Sequence, residues 1–305
     1  MVPERGHHHS VRDHLSSATM ILVTGATGTI GRSVVSGLID GGAEFRATTR
    51  RDALPGSDLP LVRMELSDRE SVVAAVAGVD VVFLNSSQHP EMAVHQGGLI
   101  DAAAEAGVRH IVKVSAGSAA TGPDKPSWVG RAHAAIEARL SASGLGWTVL
   151  RPNYFMQNLL GLAPAISEGT LPMALDDHRL ALVDARDIAA AATAVLRDPL
   201  PHHARVYEMT GPESLTPADI ADRLSVGVGR RVAHVRLTLE ELRSGAARAG
   251  APEWICRHVV ELMQLYSRDE SVGAVSQDVE RLIGRASSSL AKFVADHAST
   301  FGRAA

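Results

Sequence analysis

The stretch Met20 to Gly31, MILVTGATGTIG, leaves this chain few ways to fold. An apolar run, Met20 to Val23, stops at a turn carrying Gly25, Gly28 and Gly31. A helical pattern follows, with Val34, Val35, Leu38 and Ile39 as its inner stripe. A buried strand, a tight loop and a helix N-terminus together make an anion seat. The first amides of a helix have no partner within it, and the helix dipole adds positive potential. Gly25 permits the turn, Gly28 lets the backbone approach a phosphate, and Gly31 lets the helix pack on the strand. The stretch predicts a dinucleotide site in which Gly25, Thr27, Gly28, Thr29, Ile30 and Gly31 hold the pyrophosphate. A glycine-rich turn with no ligand is the competing reading; strand, triplet and helix in one unit near the start of a domain argue against it.

A second strand, Phe45 to Thr49, runs into Arg50 and Arg51. At the end of this strand an acidic residue would grip a ribose 2′-hydroxyl, whereas an arginine suits a 2′-phosphate. No acid stands there. NADP(H) is therefore the expected cofactor, with NAD(H) second, and Arg50 and Arg51 are the expected 2′-phosphate ligands; solvated loop charges are the alternative.

Strands then alternate with helices: Leu61 to Leu66, Val79 to Leu84, His110 to Val114 and Trp147 to Leu150 each precede a helical or irregular stretch. This is the rhythm of an α/β fold, a Rossmann-type doubly wound parallel sheet. Asp68 caps the helix after the third strand, with a place near the adenine edge as its functional alternative. The polar loop Asn85-Ser86-Ser87-Gln88-His89-Pro90 lies at the carboxyl end of a strand, where open α/β sheets bind ligands. Asn85 and Ser86 are expected on the cofactor, Ser87 and Gln88 on the substrate. Asn153, Tyr154 and Phe155 follow the sixth strand and are expected to line the nicotinamide pocket. Residues 20–153 are read as the nucleotide-binding domain, with 180–200 returning to it. Residues 154–179 and 201–305 are read as a smaller, mostly helical cap, with helices between 238 and 268 as a lid. Leu180 to Asp184 is expected as a strand.

The 305 residues are 45% hydrophobic, enough for a full core, and the formal net charge is −4 without a basic block, which disfavours nucleic acid as a partner. One cysteine, Cys256, excludes an intramolecular disulfide and a cysteine-rich metal site, and reads as a core residue on a helix. No metal site is expected. No apolar run reaches membrane-span length and no signal-peptide core precedes Met20, so a cytoplasmic monomer or homodimer is expected. Residues 1–19, with His7, His8 and His9, read as a disordered extension.

With these motifs in hand, the chain resembles the NmrA-like branch of the short-chain dehydrogenase/reductase superfamily over residues 20 to 235. The marks are GATGTIG at 25–31, VKVSAGS at 112–118, IEARLSASGLGWTVLRPNYFMQN at 136–158, VDARDIAAA at 183–191 and YEMTGPESLT at 207–216. The branch includes NAD(P)H:quinone oxidoreductases and redox-sensing regulators. The parent superfamily carries a serine after the fifth strand and Tyr-x-x-x-Lys on the next helix, the tyrosine donating a proton. Here Ser115 matches the serine, but Val129 stands for the tyrosine and His133 for the lysine. His133 is then expected to bind the ribose, to supply a proton, or both; a histidine bonded to Glu137 and merely filling space is the alternative. Ser115 is expected to orient a carbonyl. Lys113 is given no role, on the expectation that it points the other way along its strand, and Arg151 reads as structural. The resemblance implies an NADPH-dependent reductase of a small conjugated or aromatic ketone or quinone. A non-catalytic NAD(P)H sensor with a protein partner is the second reading.

Overall fold

The computed structural model describes residues 19–50 and 59–302. The histidine run, the rest of residues 1–18, and Arg51 lie outside the described residues. β1 (Ile21–Val23) leads through the glycine turn into α1 (Thr29–Asp40). There follow β2 (Phe45–Thr49), β3 (Leu61–Arg63), α2 (Arg69–Val76), β4 (Val81–Leu84), α3 (Met92–Glu105), β5 (His110–Val114), α4 (Trp128–Ala142) and β6 (Gly146–Pro152). The second half contains α5 (Ala163–Ser167), β7 (Thr170–Met173), α6 (Ala185–Arg197), β8 (Arg205–Met209), α7 (Pro217–Val228) and β9 (Ala233–Arg236). It ends with α8 (Leu239–Arg248), α9 (Glu253–Tyr266), α10 (Asp278–Ile283) and α11 (Leu290–Asp296).

Seven strands form one parallel sheet in the order β3-β2-β1-β4-β5-β6-β8. The order reverses between β1 and β4. Loops leaving those two strands diverge and open a crevice at their carboxyl ends. β1 and β4 are apolar and buried throughout, so both faces of the sheet must be covered. α1 and α6 cover one face through Val34, Leu38, Ile188 and Val195. α2, α3 and α4 cover the other through Val72, Leu99 and Ile136. A third core, around Leu159, Leu171, Leu224 and Phe293, supports the C-terminal helices. β7 and β9 pair in a separate two-stranded sheet beside it.

Two boundaries differ from the sequence reading. Leu180 to Asp184 forms no ladder strand, only isolated bridges from Val183 to Phe155 and from Leu180 to Leu215. Asp184 turns at once into the cap of α6, accepting the Arg186 N–H at 2.8 Å. Residues 205–209, assigned to the cap, pair with β6 as the edge of the main sheet. Their exposed Arg205 and Val206 give an edge strand no buried pattern to read. Cys256 is buried on α9, as expected. No helix among the described residues is long and apolar enough to cross a membrane.

Candidate functional site

Gly25 sits at φ +62°, in the left-handed region, and a Cβ there would stand 2.7 Å from the Asn85 carbonyl oxygen. Thr24 Oγ1 ties the turn to the end of β4. It lies 2.9 and 2.8 Å from the carbonyl oxygens of Phe83 and Asn85 and accepts the Asn85 N–H at 2.9 Å. A Cβ on Gly31 would stand 2.1 Å from the Gly25 carbonyl oxygen, so only glycine lets α1 close on the turn. α1 begins with no side chain capping it and no acidic residue in its first turn, which leaves its leading amides for an anion. Above them opens a cleft of about 890 Å³, bordered by the glycine turn, the ends of β2 and β3, and the loop after β4.

A second cavity of about 750 Å³ adjoins the cleft, and Gln88 and Phe155 line both. Its floor is the loop after β5, Ser115 to Ala120, and its far wall is α4. The α8–α9 hairpin roofs it with Leu242, Ile255, Val259 and Leu262. Tyr154 and Tyr266 meet edge to face, ring centroids 6.0 Å apart, and burial pushes both phenols above their ordinary pKa.

Two polar systems reach this cavity. In the first, Ser115 donates its hydroxyl hydrogen to Glu137. Glu137 is also held by Arg151, at 3.2 Å from Nε and 2.5 Å from Nη2. Arg151 Nη1 donates to Ser118 Oγ at 2.7 Å, and Ser118 in turn donates to Glu208. In the second, Lys113 Nζ lies 3.1 Å from His133 Nδ1 and donates to the Val114 carbonyl at 2.9 Å. Lys113 has no solvent exposure, and burial pulls its ammonium down to about 7, with Glu137 opposing the shift. Burial, then the neighbouring Lys113 and His258, hold the His133 pKa well below its ordinary value, so its imidazole is neutral at pH 7. His258, on α9, also lines the cavity, and its buried Nδ1 has no hydrogen-bond partner.

Residues 17–294 match the model of the NmrA-like family. The chain belongs to that family. It is 37% identical over 290 residues to an NAD(P)H azoreductase of Xenophilus azovorans, covering 93% of this chain and 100% of the relative. It is 35% identical over 288 residues to a (4-alkanoyl-5-oxo-2,5-dihydrofuran-3-yl)methyl phosphate reductase of Streptomyces griseus, covering 92% and 99%. Among solved structures, the NADPH complex of an NADPH-dependent quinone oxidoreductase from Escherichia coli superposes with a TM-score of 0.80 at 26% identity. That match covers 91% of this chain and 99% of the other.

In this NmrA-like chain most of the expected site residues line one or other of the two spaces, and Gln88 and Phe155 line both. Gly25, Thr27, Gly28, Thr29, Ile30, Arg50, Asn85 and Ser86 line the nucleotide cleft. Gly31 does not; it is spent on helix packing. Asp68 does not either. Its carboxylate accepts the Glu70 and Ser71 N–H groups at 3.1 and 3.5 Å as the cap of α2, and Glu65, Leu66 and Ser67 border the cleft instead. Ser87 faces the cleft and not the cavity, while Asn153, Tyr154 and Phe155 line the cavity. Asn153 has little left to offer a ligand, since its amide donates to the Val272 carbonyl at 2.6 Å and accepts the Tyr154 N–H at 2.8 Å. His133 lines the cavity alone and bonds Lys113, not Glu137. Val129, in the tyrosine's place, lines the same cavity. Lys113 is the functional candidate that sequence reasoning missed. Residues two apart on a strand share a face, so Lys113 points the same way as Ser115.

Proposed function

We propose that this NAD(P)H-dependent oxidoreductase reduces a small conjugated or aromatic carbonyl compound, a ketone or quinone, and does so without a tyrosine–lysine pair. The observation that supports this is the junction of the two spaces at Gln88 and Phe155. A cleft with a dinucleotide's donor set there meets an apolar cavity large enough for an aromatic ring system. The amides of residues 25–30 would hold the pyrophosphate, Arg50 the 2′-phosphate, and the loop from Asn85 to Gln88 the nicotinamide half. The cofactor, when bound, supplies a hydride to the substrate.

The chain's own residues position the acceptor and settle its proton. The apolar roof excludes water, which strengthens every polar contact inside. Ser115 has given its hydrogen to Glu137, so it presents lone pairs to the cavity. It therefore suits a hydroxyl on the substrate, not the carbonyl that the sequence reading assigned to it. His133 has Nδ1 occupied by Lys113, so Nε2 is the nitrogen left to donate to a developing oxyanion. A non-catalytic sensor would have no use for a cavity of this size at the nicotinamide end.

The test is to incubate the protein with NADPH and a panel of hydroxylated quinones, ketones and, following the azo-compound relative, azo dyes. Acceptor-dependent NADPH oxidation is expected. An Arg50→Ala variant is expected to weaken NADPH binding about tenfold, as loss of one charge-assisted phosphate contact would, and to leave NADH binding unchanged. No oxidation with any acceptor would overturn the catalytic reading.

A further inference from the structure

Lys113 stands in the middle of the sheet. Its register neighbours are Leu84 on β4 and Val149 on β6, both fully or nearly fully buried and neither polar. A lysine is almost never so enclosed unless it is paired with an opposite charge. Here its two hydrogen-bond partners are a backbone carbonyl and a histidine ring, and neither is a carboxylate. The nearest acid by influence, Glu137, is committed to Arg151 and Ser115. A methionine would fill this place at lower cost, because it has no ammonium to desolvate. The amine therefore calls for a use. It has one outlet: Nζ to His133 Nδ1, and from the ring's other nitrogen to the cavity.

We infer that Lys113 and His133 form a proton relay in which the buried ammonium recharges the imidazole as it protonates the reduced substrate. The inference rests on the reductase reading and adds the proton's source. As hydride reaches the carbonyl carbon, the C=O π pair moves to oxygen, and that oxygen takes the proton on His133 Nε2. His133 Nδ1 takes a proton from Lys113 in the same step, so the ring stays neutral throughout. Lys113 is left as a neutral amine; once product leaves, water in the cavity protonates His133 Nε2 and the Nδ1 proton returns to Lys113, which restores both groups. The neutral ring suits this path, because an imidazolium would have no lone pair to receive the second proton. Lys113 touches no substrate; it positions and recharges the residue that does.

The charged and titratable groups around the pair are few. Glu137 on α4 raises the lysine's affinity for a proton, and Arg151 on β6 neutralises Glu137. His258 on α9 opposes a proton on His133, and Glu261 on the same helix favours the protonated form of His258 against its own burial. In the wild type, kcat is expected to fall as pH rises through about 7, where Lys113 loses its proton.

The decisive comparison is the pH profile of wild type, Lys113→Met and His133→Gln with one accepted substrate. The glutamine side chain can still accept from Lys113 but cannot pass a proton on. Both variants should lose about a hundredfold in kcat, with little change in KM, and both should lose the alkaline limb. A purely structural lysine would leave that limb in place. Independently of turnover, isotope-labelled lysine in the cofactor-free protein should show one side chain titrating near neutrality, absent in Lys113→Met. Turnover that survives both substitutions with its pH profile intact overturns the relay alone, as does a Lys113 resonance titrating at the ordinary lysine pH. A wild type that reduces no acceptor overturns the functional reading and takes the relay with it.

Discussion

The nucleotide cleft and the adjoining cavity touch at Gln88 and Phe155 but are made in different ways. The cleft takes its floor from one short stretch of backbone, Gly25 to Ile30, where glycine holds the turn and no side chain caps the amides that open α1. The cavity is made of side chains from the loop after β5, α4, the segment after β6 and α9, and residues as distant in the chain as Ser115 and Tyr266 both line it. A site made of backbone is governed by local sterics, so glycine spacing announces it. A site made of side chains depends on the register of several elements, and no local pattern carries that information.

The sharpest way to break this comparison is Gly31→Ala. The new Cβ would meet the Gly25 carbonyl oxygen at 2.1 Å and the Gly25 carbonyl carbon at 2.7 Å, and backbone cannot swing aside as a long side chain can. A loss of about 3 kcal/mol or more in folding stability is expected, with loss of NADPH binding by calorimetry. An alanine protein of wild-type stability and affinity would mean that the turn is not rigid.

Lys113→Met probes the other region and should act in the opposite direction on stability. The ammonium is held at about 7 in the folded chain against an ordinary 10.5. Below pH 7 both folded and unfolded chains carry the proton, and the full cost of burying charge is present. Between 7 and 10.5 the unfolded chain binds more protons, so wild-type stability rises with pH. The methionine variant should therefore be the more stable protein by a few kcal/mol at neutral and acidic pH, with the gap closing toward alkaline pH. Urea titrations of both proteins across that range would check it; a gap that widens with pH would refute the assignment.

Asp68→Ala gives the smallest effect. Losing a helix cap should cost about 1 kcal/mol. NADPH affinity should not change, since the carboxylate faces its own helix. A drop in affinity would return Asp68 to the cleft.

The sheet, its helices and the glycine turn were legible because they rest on periodicity and glycine geometry. Ser115 was found from the end of β5, and His133 from its register with the glycine and glutamate of the following helix. Their partners were not found. That Glu137 binds Ser115 and Arg151, while His133 binds Lys113, depends on how α4 is rotated over β5, which neither segment specifies alone. The side that Lys113 faces is carried by strand alternation, since Lys113 and Ser115 stand two residues apart. The placement of 205–209 at the sheet edge was hidden by exposure on that strand.

Phe155 is a wall of both spaces at once, so a change there cannot reshape one without disturbing the other. The same holds for Gln88. By contrast Ile255, Val259 and Leu262, one face of α9, border the cavity and not the cleft. Descendants of such a molecule are free to acquire new acceptors by redrawing that single helical face, while the machinery that delivers reducing equivalents passes through unaltered.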